Sequence, residues 1–93
     1  MADQPGALGP VDFSTYVLST ASTVQVALGI VPGPDGERQP ADLEVARYFI
    51  DLLAMLEQKT KGNLDETETK LIARLIYDLR VAFVDANKKV HAT

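Results

Sequence analysis

The stretch LEVARYFIDLLAML, residues 43 to 56, constrains the fold more than any other part of the chain. At roughly 100° per residue, Leu43, Val45, Ala46, Phe49, Ile50, Leu52, Leu53 and Leu56 spread across most of a helix's circumference, and Tyr48 and Met55 widen the spread. Only Glu44, Arg47, Asp51 and Gln58 form a polar edge. A helix this apolar is not satisfied by one neighbour, so it must lie between partners, within the chain or across a subunit boundary. A chain of 93 residues makes one domain at most and buries a modest core, on the order of two-thirds of its unfolded surface. Association of subunits, most commonly as a twofold dimer, is the expected way to hide the surplus.

The other elements follow from stop and start signals. Residues 1 to 10, with Pro5, Gly6, Gly9 and Pro10, read as a mobile tail. Phe13, Val17, Ala21, Val24 and Leu28 then recur at helical spacing, with Asp12 or Ser14 to cap the first turn and Gly29 to stop it. The β-branched residues of this segment, among them Thr15, Val17, Thr20, Val24, Val26 and Ile30, favour a strand. Helix is preferred because the residues do not alternate and no second strand is available to pair. VPGPDGERQP is a connection with a turn at Asp35-Gly36. A second helix starts between Pro40 and Asp42, capped by Asp42 or Gln39, and runs to about Lys61. The third extends from about Asp65 to Asn87. Its main stripe is Leu71, Ile72, Leu75, Ile76, Leu79, Ala82 and Phe83, and Tyr77, Val81 and Val84 make a second, narrower patch. Residues 88 to 93 are read as a fraying tail. The predicted fold is all-α: one helical domain over residues 11 to 87, with helices two and three as an antiparallel hairpin and a bundle completed by dimerisation.

KTKGNLDETE, residues 59 to 68, is the one stretch that resembles a chemical site. A phosphate-binding loop needs several glycines, so that consecutive backbone N–H groups converge, and then a Lys-Ser/Thr pair opening a helix. Here a single glycine is followed by acids. The helix-bend reading is preferred over an anion site or a contact surface built on Lys59 and Lys61. Gly62 and Asn63 suit a helix stop, and Lys59 and Lys61 sit at the negative end of the helix dipole. Asp65 and Glu68 have the spacing of a capping box, and Glu66 and Lys70 that of an i,i+4 ion pair.

Composition excludes several classes of function. There is no cysteine and a single histidine, His91, so disulfide frameworks and Cys/His metal sites are ruled out and the chain suits a reducing cytoplasm. The net charge of −4 opposes general binding to nucleic acid or anionic lipid. The first ten residues lack the basic and apolar regions of a signal peptide. The charge-free stretch after Asp12 carries too many Ser and Thr residues to insert in a bilayer.

DFSTYVLSTAS, ARYFIDLLAMLEQKTKGNLDETE and LIYDLRVAFV together resemble, over roughly residues 12 to 85, a bacterial family of short proteins catalogued as a domain of unknown function. Its motifs are D-F-S-T-[FY]-V-L-S, K-T-K-G-N-L before a glutamate run, and D-L-R-x-x-F-V. Asp65 stands where threonine is usual, and Thr67 and Thr69 interrupt the glutamates. The resemblance implies a helical fold and a bacterial cytoplasmic origin, and it carries no catalytic residues.

Material for catalysis is scarce. His91 lies near the end of the chain. Asp51 and Asp78 stand in apolar surroundings, but Asp51 falls on the polar edge of its helix and Asp78 is spaced to pair with Arg74. No catalytic residue, metal or cofactor is expected. The chain is read as a non-catalytic interaction or regulatory module with itself and another protein as partners; weak nucleic-acid association through Lys59, Lys61, Lys88 and Lys89, or small-molecule binding in the bundle, is the alternative. Candidate interface residues are Phe13, Tyr16, Val17, Tyr48, Phe49, Leu52, Leu56, Tyr77, Val81 and Val84, with Tyr77 expected to be more buried than Tyr48. Arg47, Lys59, Lys61, Arg74 and Arg80 are the candidate partner contacts.

Overall fold

The computed structural model describes residues 11 to 91, and the tail expected over residues 1 to 10 lies outside them. Three helices follow one another: α1 (Phe13–Ala27), α2 (Leu43–Lys59) and α3 (Glu66–Val90). No strand is present among the described residues, so the apolar periodicity of α1 prevails over its β-branched content. This is the usual outcome when a stripe has a surface to pack against.

Each helix starts on an aspartate. Asp12, Asp42 and Asp65 are extended and accept hydrogen bonds from the N–H groups of Thr15, Val45 and Glu68, which satisfies donors that a helix start leaves open. At α3 the capping box is complete: Glu68 N–H donates to Asp65 Oδ1 at 2.8 Å, and Asp65 N–H donates to Glu68 Oε1 at 2.9 Å. The expected Glu66–Lys70 pair forms at 3.0 Å.

The ends differ from expectation in two places. α2 stops at Lys59 because Thr60 closes the turn, its N–H and hydroxyl both donating to the Leu56 carbonyl at 3.0 and 2.8 Å. α3 continues to Val90, so residues 88 to 90 are helical where fraying was expected, with Lys88 and Lys89 favourably placed at the negative end of the dipole.

The end of α2 lies beside the start of α3 and the start of α2 beside the later turns of α3, so these two helices run antiparallel. Asp42 N–H donates to the Ala27 carbonyl at 2.7 Å and ties the start of α2 to the end of α1, while the 60–65 bend joins α2 to α3. The core lies where the three stripes meet. Val17, Val24, Leu53 and Ile72 are its largest fully buried side chains, with Ala21, Ala46, Ile50, Ile76 and Leu79 around them. The one buried polar residue among the described residues, Thr20, donates to the Tyr16 carbonyl at 3.0 Å, so its burial leaves no donor unpaired.

Among the described residues three glycines adopt positive φ: Gly29 (76°), Gly36 (82°) and Gly62 (90°). Gly36 completes the Asp35-Gly36 turn, where the Glu37 N–H donates to Asp35 Oδ1 at 3.0 Å. The other two differ in what surrounds them. A Cβ on Gly62 would meet nothing within 4 Å, whereas one on Gly29 would stand 2.6 Å from the Gln39 carbonyl oxygen. Gly62→Ala therefore incurs only the left-handed backbone penalty, about 1–2 kcal/mol. Gly29→Ala adds a collision with backbone that holds the 30–42 connection on the bundle. Urea unfolding of the two variants should show the larger loss at Gly29.

The hydrogen bond from the Thr15 N–H, joined by the Thr15 hydroxyl, holds the Asp12 carboxyl below the usual aspartate range. A depressed folded-state pKa contributes stability that is present above the unfolded value, about 4, and is lost as pH falls through the folded one. The urea midpoint should therefore drop below about pH 4. Part of that drop should vanish in Asp12→Asn, which still caps the helix.

Candidate interaction surface

α2 has two sides of opposite character. Ala46, Ile50 and Leu53 are buried between α1 and α3, and Phe49 and Leu56 pack on the rim of this core with part of their surface. Pointing away from the core, Tyr48 is 64% exposed, Met55 50% and Val45 40%, with Leu52 half-buried beside them. The Tyr48 ring stands edge-on to Phe49, with centroids 5.1 Å apart and planes at 88°, a favourable aromatic geometry. The surplus circumference read from the sequence is thus real: α1 and α3 leave one apolar flank of α2 open.

α1 supplies the floor next to this flank. Ser19, Ser22, Thr23 and Val26 line a groove of ≈ 550 Å³ with Val45, Pro34, Gln39 and Asp42. The surface is hydroxyl-bearing and apolar, and α1 contains no charged residue from Phe13 to Ala27. Tyr16, 52% exposed, is on the same helix.

A second, smaller patch occupies α3. Tyr77, Val81 and Val84 are all exposed and lie side by side with Arg80 and Asp85. This patch is set among charges. Arg74 Nε donates to both carboxylate oxygens of Asp78 at 3.1 Å, as the i,i+4 spacing predicts. Arg47 and Asp51, 3.8 Å apart on α2, border the cleft that Arg80, Phe83 and Val84 line from α3.

The candidate interface residues therefore do not form one surface. Tyr16, Tyr48 and Leu52 belong to the α1/α2 side, and Tyr77, Val81 and Val84 to α3. Val17 has no exposed surface and is corrected to a core residue, because it points directly at the junction of the three helices. Phe13, Phe49 and Leu56 are rim residues of the core. Tyr77 is also corrected: it is 66% exposed, no more buried than Tyr48 at 64%, since its position on α3 faces away from the Ile72, Ile76 and Leu79 side. Val45 and Met55 were missing from the candidate set. The signal for them was the spacing of residues 45, 48, 52 and 55, an alternation of three and four residues that marks a coiled-coil seam.

At the 59–68 bend, backbone N–H groups are used within the chain. Thr60 N–H donates to the Leu56 carbonyl, Lys61 N–H to Gln58, and Asn63 N–H to Thr60. An anion cradle requires such groups to converge on empty space, and here Gly62 serves as the left-handed stop. Lys59, Lys61, Arg47, Arg74 and Arg80 are all exposed. The lysines stand at the opposite end of α3 from Lys88 and Lys89, and α3 has 25 residues, a length of about 37 Å.

A family model described as Domain of unknown function (DUF1844) matches residues 10 to 85. The chain belongs to this family. Its recognisable segments translate into architecture: the DFST segment is the capped start of α1, KTKGNL is the stop of α2, and in DLRVAFV Leu79 is core while Asp78 pairs with Arg74. No curated protein and no solved structure matches the chain. No helix among the described residues is long and apolar enough to cross a membrane.

The two sides of α2 make opposite predictions for residues two apart. Leu53→Ala removes a fully buried side chain and should cost about 2–5 kcal/mol in urea unfolding. Met55→Ser, on the open flank, should change the stability of the dissociated chain by less than about 0.5 kcal/mol.

Proposed function

We propose that this chain is a non-catalytic helical module that acts by binding proteins, first a copy of itself and then a different partner. The observation that supports this reading best is the open apolar flank of α2, where Val45, Tyr48 and Met55 are exposed. Water-exposed apolar surface of this kind marks an interaction site, and tyrosine and methionine are among the residues enriched at interfaces. The smaller α3 patch is set among Arg74, Asp78, Arg80 and Asp85. An apolar centre with a charged rim suits a separate, more transient partner. The α1/α2 groove of ≈ 550 Å³ falls in the size range of small-ligand sites and supports a second reading, binding of an apolar small molecule bearing hydrogen-bonding groups. Nucleic-acid binding gains nothing from the geometry, since Lys59/Lys61 and Lys88/Lys89 form two separate small clusters.

Sedimentation velocity tests the first reading. At micromolar concentration the chain should sediment as an oligomer, and the Tyr48→Asp/Met55→Asp double variant as a helical monomer. A wild-type chain that stays monomeric across the accessible range would contradict it.

A further inference from the structure

We propose that a second copy of the chain docks on α2 itself, with the two α2 helices antiparallel about a twofold axis beside Leu52. The Glu44 end of each seam then lies against the Lys59 end of the other. The proposal rests on the self-association reading and adds to it the face, the direction and the register.

The face follows from charge and spacing. Val45, Tyr48, Leu52 and Met55 repeat at three, four and three residues, the pattern by which one helix seam interdigitates with another. Neither this seam nor the adjoining α1 surface, with Ser19 and Thr23, carries a charge. The α3 patch, by contrast, is interrupted by Arg80 and Asp85. Depletion of charge at its centre is the compositional mark of a stable interface. Asp51 lies off the seam and is balanced by Arg47 at 3.8 Å, so it sets no opposing charge in the way.

The direction follows from the ends. Glu44 lies in the first turn of α2, Lys59 is its last residue, and both are exposed. Parallel pairing would place Glu44 beside Glu44 and Lys59 beside Lys59, and would align the two helix dipoles. Antiparallel pairing sets opposite charges together at both ends and opposes the dipoles. The register in which Glu44 faces Lys59 also sets Tyr48 against Met55 of the partner subunit, a thioether on an aromatic ring. It leaves Leu52, half-buried in the single chain, next to its own copy at the axis.

The chain contains no cysteine, so cross-linking reads the arrangement directly. In the full-length protein under mild oxidation, Leu52→Cys should form a disulfide-linked dimer. Tyr48→Cys and Met55→Cys should cross-link when mixed with each other and not when oxidised alone. Efficient linking of Tyr48→Cys alone and of Met55→Cys alone would show a parallel arrangement and overturn the proposal. A sedimenting dimer that links through none of the three would overturn the face while leaving self-association intact, whereas a wild-type monomer would remove the reading beneath it. Charge reversal supplies an independent arm. Glu44→Lys and Lys59→Glu should each raise the dissociation constant, and the double variant should restore it. Failure to restore it in a variant with wild-type helicity would overturn the antiparallel register.

Discussion

A helix packed between two neighbours has about half of its circumference covered, and α2 is apolar over more than that. Ala46, Ile50 and Leu53 fill the covered half and, with Val17, Val24 and Ile72, are the core on which the three helices assemble. The open half holds Val45, Tyr48 and Met55. Both halves come from one run of residues, so what builds the fold also leaves an apolar surface exposed. Replacing the outer residues with polar ones would leave the core intact, so they contribute little to the fold itself.

The remaining sequence features serve to put α2 in that position. Three aspartate caps fix where the helices begin, and the Asp42 N–H bond to Ala27 anchors the return from the 30–42 connection. Gly29 permits the connection to cross at backbone contact distance, and Gly62 turns the chain toward α3 with a positive φ and open space where a Cβ would stand. The stretch that looked most like a phosphate site is thus part of the scaffold. Its lysines remain exposed, but its amide donors at Thr60, Lys61 and Asn63 are already engaged.

Much of this was legible in the sequence because the signals are local. Asp12, Asp42, Asp65 and Glu68 announce their caps within four residues, Arg74 and Asp78 their ion pair, and the stripes of α2 and α3 their buried faces. The main stripe and narrow patch of α3 were separable by periodicity alone. What was not legible depends on direction and distance. Periodicity marks Val17 as apolar and on a stripe, but whether that stripe meets two helices or one is decided by how the helices cross. Tyr77 was expected to be more buried than Tyr48, yet it faces away from the Ile72, Ile76 and Leu79 core. The approach of Gly29 to Gln39 joins residues ten apart through a connection without regular structure, and no periodic signal reports such a contact. The segments that carry the family resemblance fall on a cap, a bend and core positions such as Leu79, and also on exposed residues such as Tyr16, Arg80 and Val84.

Oxidative footprinting as a function of protein concentration examines the outer face of α2 most directly. Met55 and Tyr48 should lose reactivity together as concentration rises through the association midpoint, while Tyr77 on α3 keeps its own. Unchanged reactivity of Met55 across the accessible concentrations would mean that the open flank of α2 stays in water, and would contradict the proposed assembly through it.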